Sequence, residues 1–122
     1  MNFDSTLFVL NGLCGIIFLI LFFIVYRFPP KKINSFYGYR TARSMKNQEL
    51  WDFAQTFSAI QFLKSAVILI FVSIIGLFTN LDHSIDVLIA SLILAAAILY
   101  PIYKTENALK QIDNYENNHS NK

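Results

Sequence analysis

Charge is what this sequence has least of. Asp, Glu, Lys and Arg together make up 15% of its 122 residues, against about 25% in an average soluble domain. Apolar residues stand at 55% and aromatics at 16%, for a mean hydropathy of +0.46. A chain this short cannot hide so much Phe, Ile and Leu in a water-soluble core, because small domains bury the smallest share of their surface. The solvent it calls for is lipid.

Cysteine is nearly absent too. Cys14 stands alone, which excludes an internal disulfide and a zinc knuckle; inside an apolar run it reads as a small buried hydrophobe. Four glycines and three prolines exclude a loop-rich or collagen-like chain. No basic segment precedes the first apolar run, no small-residue cleavage site follows it, and Leu13 rather than a small residue precedes Cys14. Neither a cleaved secretory signal nor a lipoprotein anchor is therefore expected.

Three uncharged stretches are present. Ser5 to Tyr26 contains no Asp, Glu, Lys or Arg and suffices for the ~20 helical residues that cross ~30 Å of hydrocarbon. Arg27, Pro29 and Pro30 end it, since proline cannot donate the next helical hydrogen bonds. The second stretch, Ser65 to Asn80, reaches full length when extended back through Phe57, Ala59, Ile60, Phe62 and Leu63. That extension takes in Lys64, whose stem can snorkel to the headgroups. With no Gly or Pro from Gln48 to Lys64, the helix is expected to begin near Asn47 and to project from the membrane. The third runs from about Ile85 to Tyr103, with Asp86 its single charge and Pro101 placed to bend its last turn. Tyr26, Tyr100 and Tyr103 fall at one interface, where amphipathic rings are favoured.

Beyond Tyr103, Ala108, Leu109, Ile112 and Tyr115 recur at helical spacing and Glu106–Lys110 forms an i,i+4 pair. This predicts an amphipathic helix at or just below the membrane surface, continuous with span three or separate from it. The expected fold is all-α: a polytopic membrane protein with three transmembrane helices plus a C-terminal amphipathic helix, one module over residues 1–116, with 117–122 a disordered tail. All ten Lys and Arg residues lie in the first loop, at Lys64 or in the tail. The positive-inside rule then places that loop and the C-terminus in the cytoplasm and the N-terminus outside.

Chemistry, if any, concentrates in the segment from Pro29 to Trp51, which is longer and more varied than a connector requires. Gly38 lets the chain turn between Tyr37 and Tyr39 and brings backbone close to a ligand. Arg40 offers a planar fork for a carboxylate or phosphate, with Arg43 nearby. Thr41 and Ser44 supply hydroxyls or cap the helix starting near Asn47; Asn34 adds an amide, and Trp51 suits an interfacial anchor. These residues suit recognition of an anion beside an apolar surface. For Lys31, Lys32 and Lys46 the plainer reading is topological: inner loops are basic regardless of function.

Catalysis is not expected. His83 lies outside and His119 in the tail, so neither meets a nucleophile. Glu49 and Asp52, at i,i+3, fit ion pairs with nearby cations or the positive end of a helix. No metal-ligand spacing or phosphate loop occurs, so no cofactor is expected. The spans also lack the charges of a transport path. Asn11, the polar amide in span one, is expected to bond to another helix. Ala59, Ala66, Ser73 and Gly76 in span two, and Ala90 and Ala97 in span three, allow close helix packing within one chain or between copies.

Asn34, Tyr37-Gly38-Tyr39-Arg40-Thr41, Ser44, Asn47 and Trp51, in a basic loop between two spans, resemble the signature of the SdpI family, as does Tyr103-Lys104-Thr105-Glu106 with Leu109. The resemblance covers roughly Leu7 to Leu109. It implies a bacterial cell-membrane immunity protein that protects its producer from a secreted, membrane-active peptide toxin and signals by sequestering a cytoplasmic repressor. Larger members carry further spans before this module, and a chain with this module alone points to a homo-oligomer. The expected partners are thus the lipid bilayer, a peptide toxin, a repressor and copies of the chain, without direct contact to nucleic acid. The alternative is a small module that binds anionic lipid or another anionic ligand, without an immunity role.

Overall fold

The computed structural model describes residues 1–120 and consists of three helices: α1 (Thr6–Arg27), α2 (Gln48–Leu77) and α3 (His83–Ser120). Each is long and apolar enough to cross a membrane. The fold is therefore the expected all-α, multi-pass arrangement. A long loop joins α1 to α2 at one end of the bundle, here the loop end; a short turn joins α2 to α3 at the other.

Small residues set how close α1 and α2 come. Gly15 lies against Ala66, Leu69 and Ile70, and a Cβ on Gly76 would stand 2.7 Å from Leu7 Cβ. Ser73 Oγ donates to the Phe8 carbonyl at 2.7 Å, an interhelical bond worth about 0.6–2 kcal/mol in lipid. The small-residue stripe of α2 thus serves packing within the chain. Phe22 stacks on Phe62 at 4.2 Å and 5°, with Phe18 edge-on to both, closing the same seam nearer the loop end.

At the turn end, the first turn of α1 has no cap from its own side chains. Asp86 of α3 takes that role across the bundle. Its carboxylate accepts from Thr6 N at 2.6 Å, Leu7 N at 3.2 Å and Ser5 Oγ at 3.1 Å. Backbone donors at a helix start are otherwise orphaned and attract an anion, which explains how an acid is 5% exposed beside a membrane span.

One expectation needs correcting. Asn11 is fully buried, yet neither its Nδ2 nor its Oδ1 has a hydrogen-bond partner; the expected bond to another helix is not made. Of the two forms expected for the C-terminal segment, continuous with span three or separate from it, the first is found. The segment continues α3 without a break through Pro101, whose carbonyl accepts from Thr105 Oγ1 at 2.8 Å.

Its apolar face covers the start of α2, where Leu109 and Ile112 pack with Leu50, Ala54 and Phe53, and with Tyr39 of the loop. The thirty residues of α2 span roughly 45 Å at 1.5 Å per residue, more than the ~30 Å of hydrocarbon. Its first turns project and meet the end of α3 there. The helix runs on through Asn117 to Ser120, a stretch expected to be disordered; Asn121 and Lys122 lie outside the described residues.

Candidate functional site

The loop has no helix or strand of its own from Pro29 to Asn47 and is ordered by side chains. Its entry is fixed by Trp51, which is fully buried and donates Nε1–H to the Pro30 carbonyl at 2.7 Å. Trp51 is thus an internal clasp, not the interfacial anchor expected from its type. Asn34 Oδ1 accepts from Phe36 N and Tyr37 N at 2.9 and 2.7 Å, an Asx turn that tightens the tip. Tyr37 reaches back to donate its hydroxyl to the Phe28 carbonyl at 2.9 Å.

The centre of the loop hangs on Gln55. Its Oε1 accepts from Tyr39 N at 2.7 Å and its Nε2 donates to Tyr39 O at 2.8 Å, as an adjacent strand would. Gly38 makes this possible. It has φ +100°, and a Cβ there would overlap the Gln55 amide and lie 2.6 Å from Pro30 Cγ. Only glycine meets both conditions without strain. Past Tyr39, Thr41 and Ser44 close on each other: Thr41 N donates to Ser44 Oγ at 2.8 Å and Ser44 N to Thr41 Oγ1 at 3.2 Å. They shape the loop, while the cap of α2 is Asn47, whose Oδ1 accepts from Leu50 N at 2.9 Å.

A second set of contacts ties the loop and the start of α2 to the end of α3. Tyr39 OH donates to Glu106 Oε1 at 2.8 Å, and Arg43 pairs with Glu106 Oε2 at 3.3 Å. Lys46 pairs with Asp113 at 2.7 Å, and Asn47 Nδ2 donates to Glu116 at 3.5 Å. Burial, then the Glu106 carboxylate, push the Tyr39 phenol well above its usual ionisation range. In the projecting first turn of α2, a hydrogen bond with Glu116, then its charge, raise Glu49. Glu49 thus meets an acid rather than a nearby cation, and sits in the first turn of α2, the other place expected for it. Asp52 accepts from Gln48 Nε2 at 2.7 Å.

These fastenings leave a cavity of about 470 Å³ at the loop end. Residues 37–41 roof it; Leu21, Phe22, Ile24 and Val25 of α1 wall one side, and Ser58, Phe62 and Ile102 the other. The sequence-predicted residues divide accordingly. Tyr37, Gly38, Tyr39, Arg40 and Thr41 line the cavity, whereas Asn34, Arg43, Ser44, Asn47 and Trp51 hold the roof in shape. Arg40 is exposed, and its guanidinium donates to the Ser35 carbonyl. Among the described residues it forms no salt bridge, unlike Arg43 and Lys46.

Sequence reasoning passed over Gln55 and the role of the apolar walls, and gave Glu106 a partner in Lys110 rather than in the loop. Trp51, Gln55, Ser58 and Phe62 follow one another at helical spacing of four, three and four, and a buried glutamine on that stripe was the available signal. Glu106 stood in the segment that resembles the family signature, but Lys110 offered it an adequate local partner and nothing in the sequence tied it to Tyr39 or Arg43.

Three apolar helices and an ordered polar loop over a cavity at one end define a small multi-pass membrane protein. The match to known families makes the assignment specific: residues 31–105 fit the SdpI/YfhL protein family, and the chain belongs to it. The chain is also 40% identical over 83 residues to YfhL, an uncharacterized protein of Bacillus subtilis (strain 168), covering 68% of this chain and 70% of that one. No solved structure matches.

Proposed function

We propose that this protein is an immunity or sensing protein of the SdpI type, acting at the bacterial cell membrane on a membrane-active peptide toxin. In this reading the loop end faces the cytoplasm and Arg40 receives an anionic group of the peptide at the cavity rim. The supporting observation is the cavity itself: apolar helix walls lie beneath the one rim arginine that lacks a carboxylate partner. That arrangement suits an amphipathic anion at a lipid interface. Of the residues given by family resemblance, those from Asn34 to Trp51 and Glu106 fall on this roof or brace it. A cytoplasmic repressor and further copies of the chain are the partners proposed for signalling, and both would meet the exposed loop and the end of α3. No catalytic step is assigned to the site.

The test is survival. A toxin-sensitive host expressing the chain is challenged with the cognate peptide, beside hosts carrying the empty vector and Arg40→Ala. Protection by the wild-type chain, reduced in Arg40→Ala at equal membrane abundance, is expected. Equal killing of wild-type and vector cells overturns the reading.

A further inference from the structure

The cavity's dimensions say more about its occupant than its chemistry does. One turn of a peptide helix, about 10–12 Å across and 5.4 Å in pitch, takes up roughly 420–610 Å³. At about 470 Å³ the cavity is filled by a single turn, so no helical peptide of useful length can seat within it. It lies instead in the lower part of the ~300–1,000 Å³ range of small-ligand sites. The occupant must be slender.

The mouth points to where that occupant comes from. Leu21 and Ile24, on the α1 wall, remain 52% and 43% exposed, and both belong to the last two turns of an apolar span. The opening is therefore lateral, at the depth where acyl chains meet headgroups on the loop side. The roof supplies the charge. Arg43 and Lys46 are neutralised by Glu106 and Asp113, while Arg40 spends one donor on the Ser35 carbonyl and keeps its charge. Among the described residues no acid lines the cavity.

We infer that the cavity is a site for one anionic lipid of the loop-side leaflet, whose acyl chain lies against Phe22, Val25 and Phe62 and whose phosphate meets Arg40. The Gln55–Tyr39 and Glu106 fastenings preorganise this site by fixing the roof before the lipid arrives. The inference does not depend on the immunity reading, since a resident lipid requires no toxin.

Native mass spectrometry of the full-length protein released from detergent provides the test. The probes are dioctanoyl phosphatidylglycerol, dioctanoyl phosphatidylcholine of equal chain length, and inorganic phosphate. One phosphatidylglycerol retained per chain is expected, in preference to phosphatidylcholine. Arg40→Gln should weaken retention about fivefold, the effect of the ~1 kcal/mol that one cation contributes beside anionic lipid.

Ile24→Trp should close the mouth and abolish retention, and its lipid-exposed position lets it do so without disturbing the core. Lys32→Gln, off the cavity, should leave retention unchanged. Helix content by circular dichroism confirms that each variant is folded. Equal retention of the two lipids, retention untouched by both Arg40→Gln and Ile24→Trp, or phosphate binding as tightly as phosphatidylglycerol would each overturn the inference.

Discussion

Gln55 holds the backbone of Tyr39 at two points, accepting from its N–H and donating to its carbonyl at 2.7 and 2.8 Å. A residue sixteen positions away on a transmembrane helix thereby substitutes for the strand the loop does not have. The roof of the cavity rests on this pair.

Gln55→Ala should therefore release the loop while leaving the helices in place. Losing two hydrogen bonds at a largely buried site costs about 2–4 kcal/mol. Trypsin cleavage after Arg40 and Arg43 in detergent should accelerate, with helix content by circular dichroism almost unchanged. Gly38→Ala should expose the same bonds, since its φ of +100° and the space taken by Gln55 and Pro30 both reject a side chain.

Asn11 leads to a prediction of opposite sign. Its amide is fully buried with both polar atoms unpartnered, which costs about 1–3 kcal/mol relative to an apolar side chain. Asn11→Leu should raise the thermal unfolding midpoint in detergent. A lowered midpoint would mean that the space filled by the amide does not accept a leucine side chain, and that packing there outweighs the unpartnered polar atoms.

Tyr39 sets the alkaline limit of the loop's attachment. Burial and the Glu106 carboxylate hold its proton in the folded state beyond the usual 10. Above pH 10 the folded form thus binds more protons than the unfolded form, and stability falls as pH rises through that region. Below it the contribution is fully present. Phenolate absorbance should show one of the six tyrosines ionising last, in step with loop release, and Tyr39→Phe should remove that late step.

The three spans were legible because hydrocarbon rejects charge so strongly that composition alone locates them. The start of α2 was legible for a local reason: Asn47 is a capping residue placed before an uninterrupted helical run. The braces of the site were not, because each joins residues distant in sequence through a polar side chain with a plausible nearer role. Glu106 had Lys110, Trp51 had the interface, and Asp86 had a span end to mark. Periodicity reports which face a residue occupies; it does not report which neighbour that face meets. The same limit explains Asn11, whose type promised a partner that the bundle does not provide.

Asp86 and Glu106 belong to one uninterrupted helix, and at 1.5 Å per residue they stand roughly 30 Å apart along its axis, close to the ~30 Å thickness of the hydrocarbon layer. The first is clamped to the start of α1 and the second to the arch over the cavity. Both pins lie within the chain, so the stretch of α3 between them acts as a spacer that holds the start of α1 and the arch a fixed distance apart.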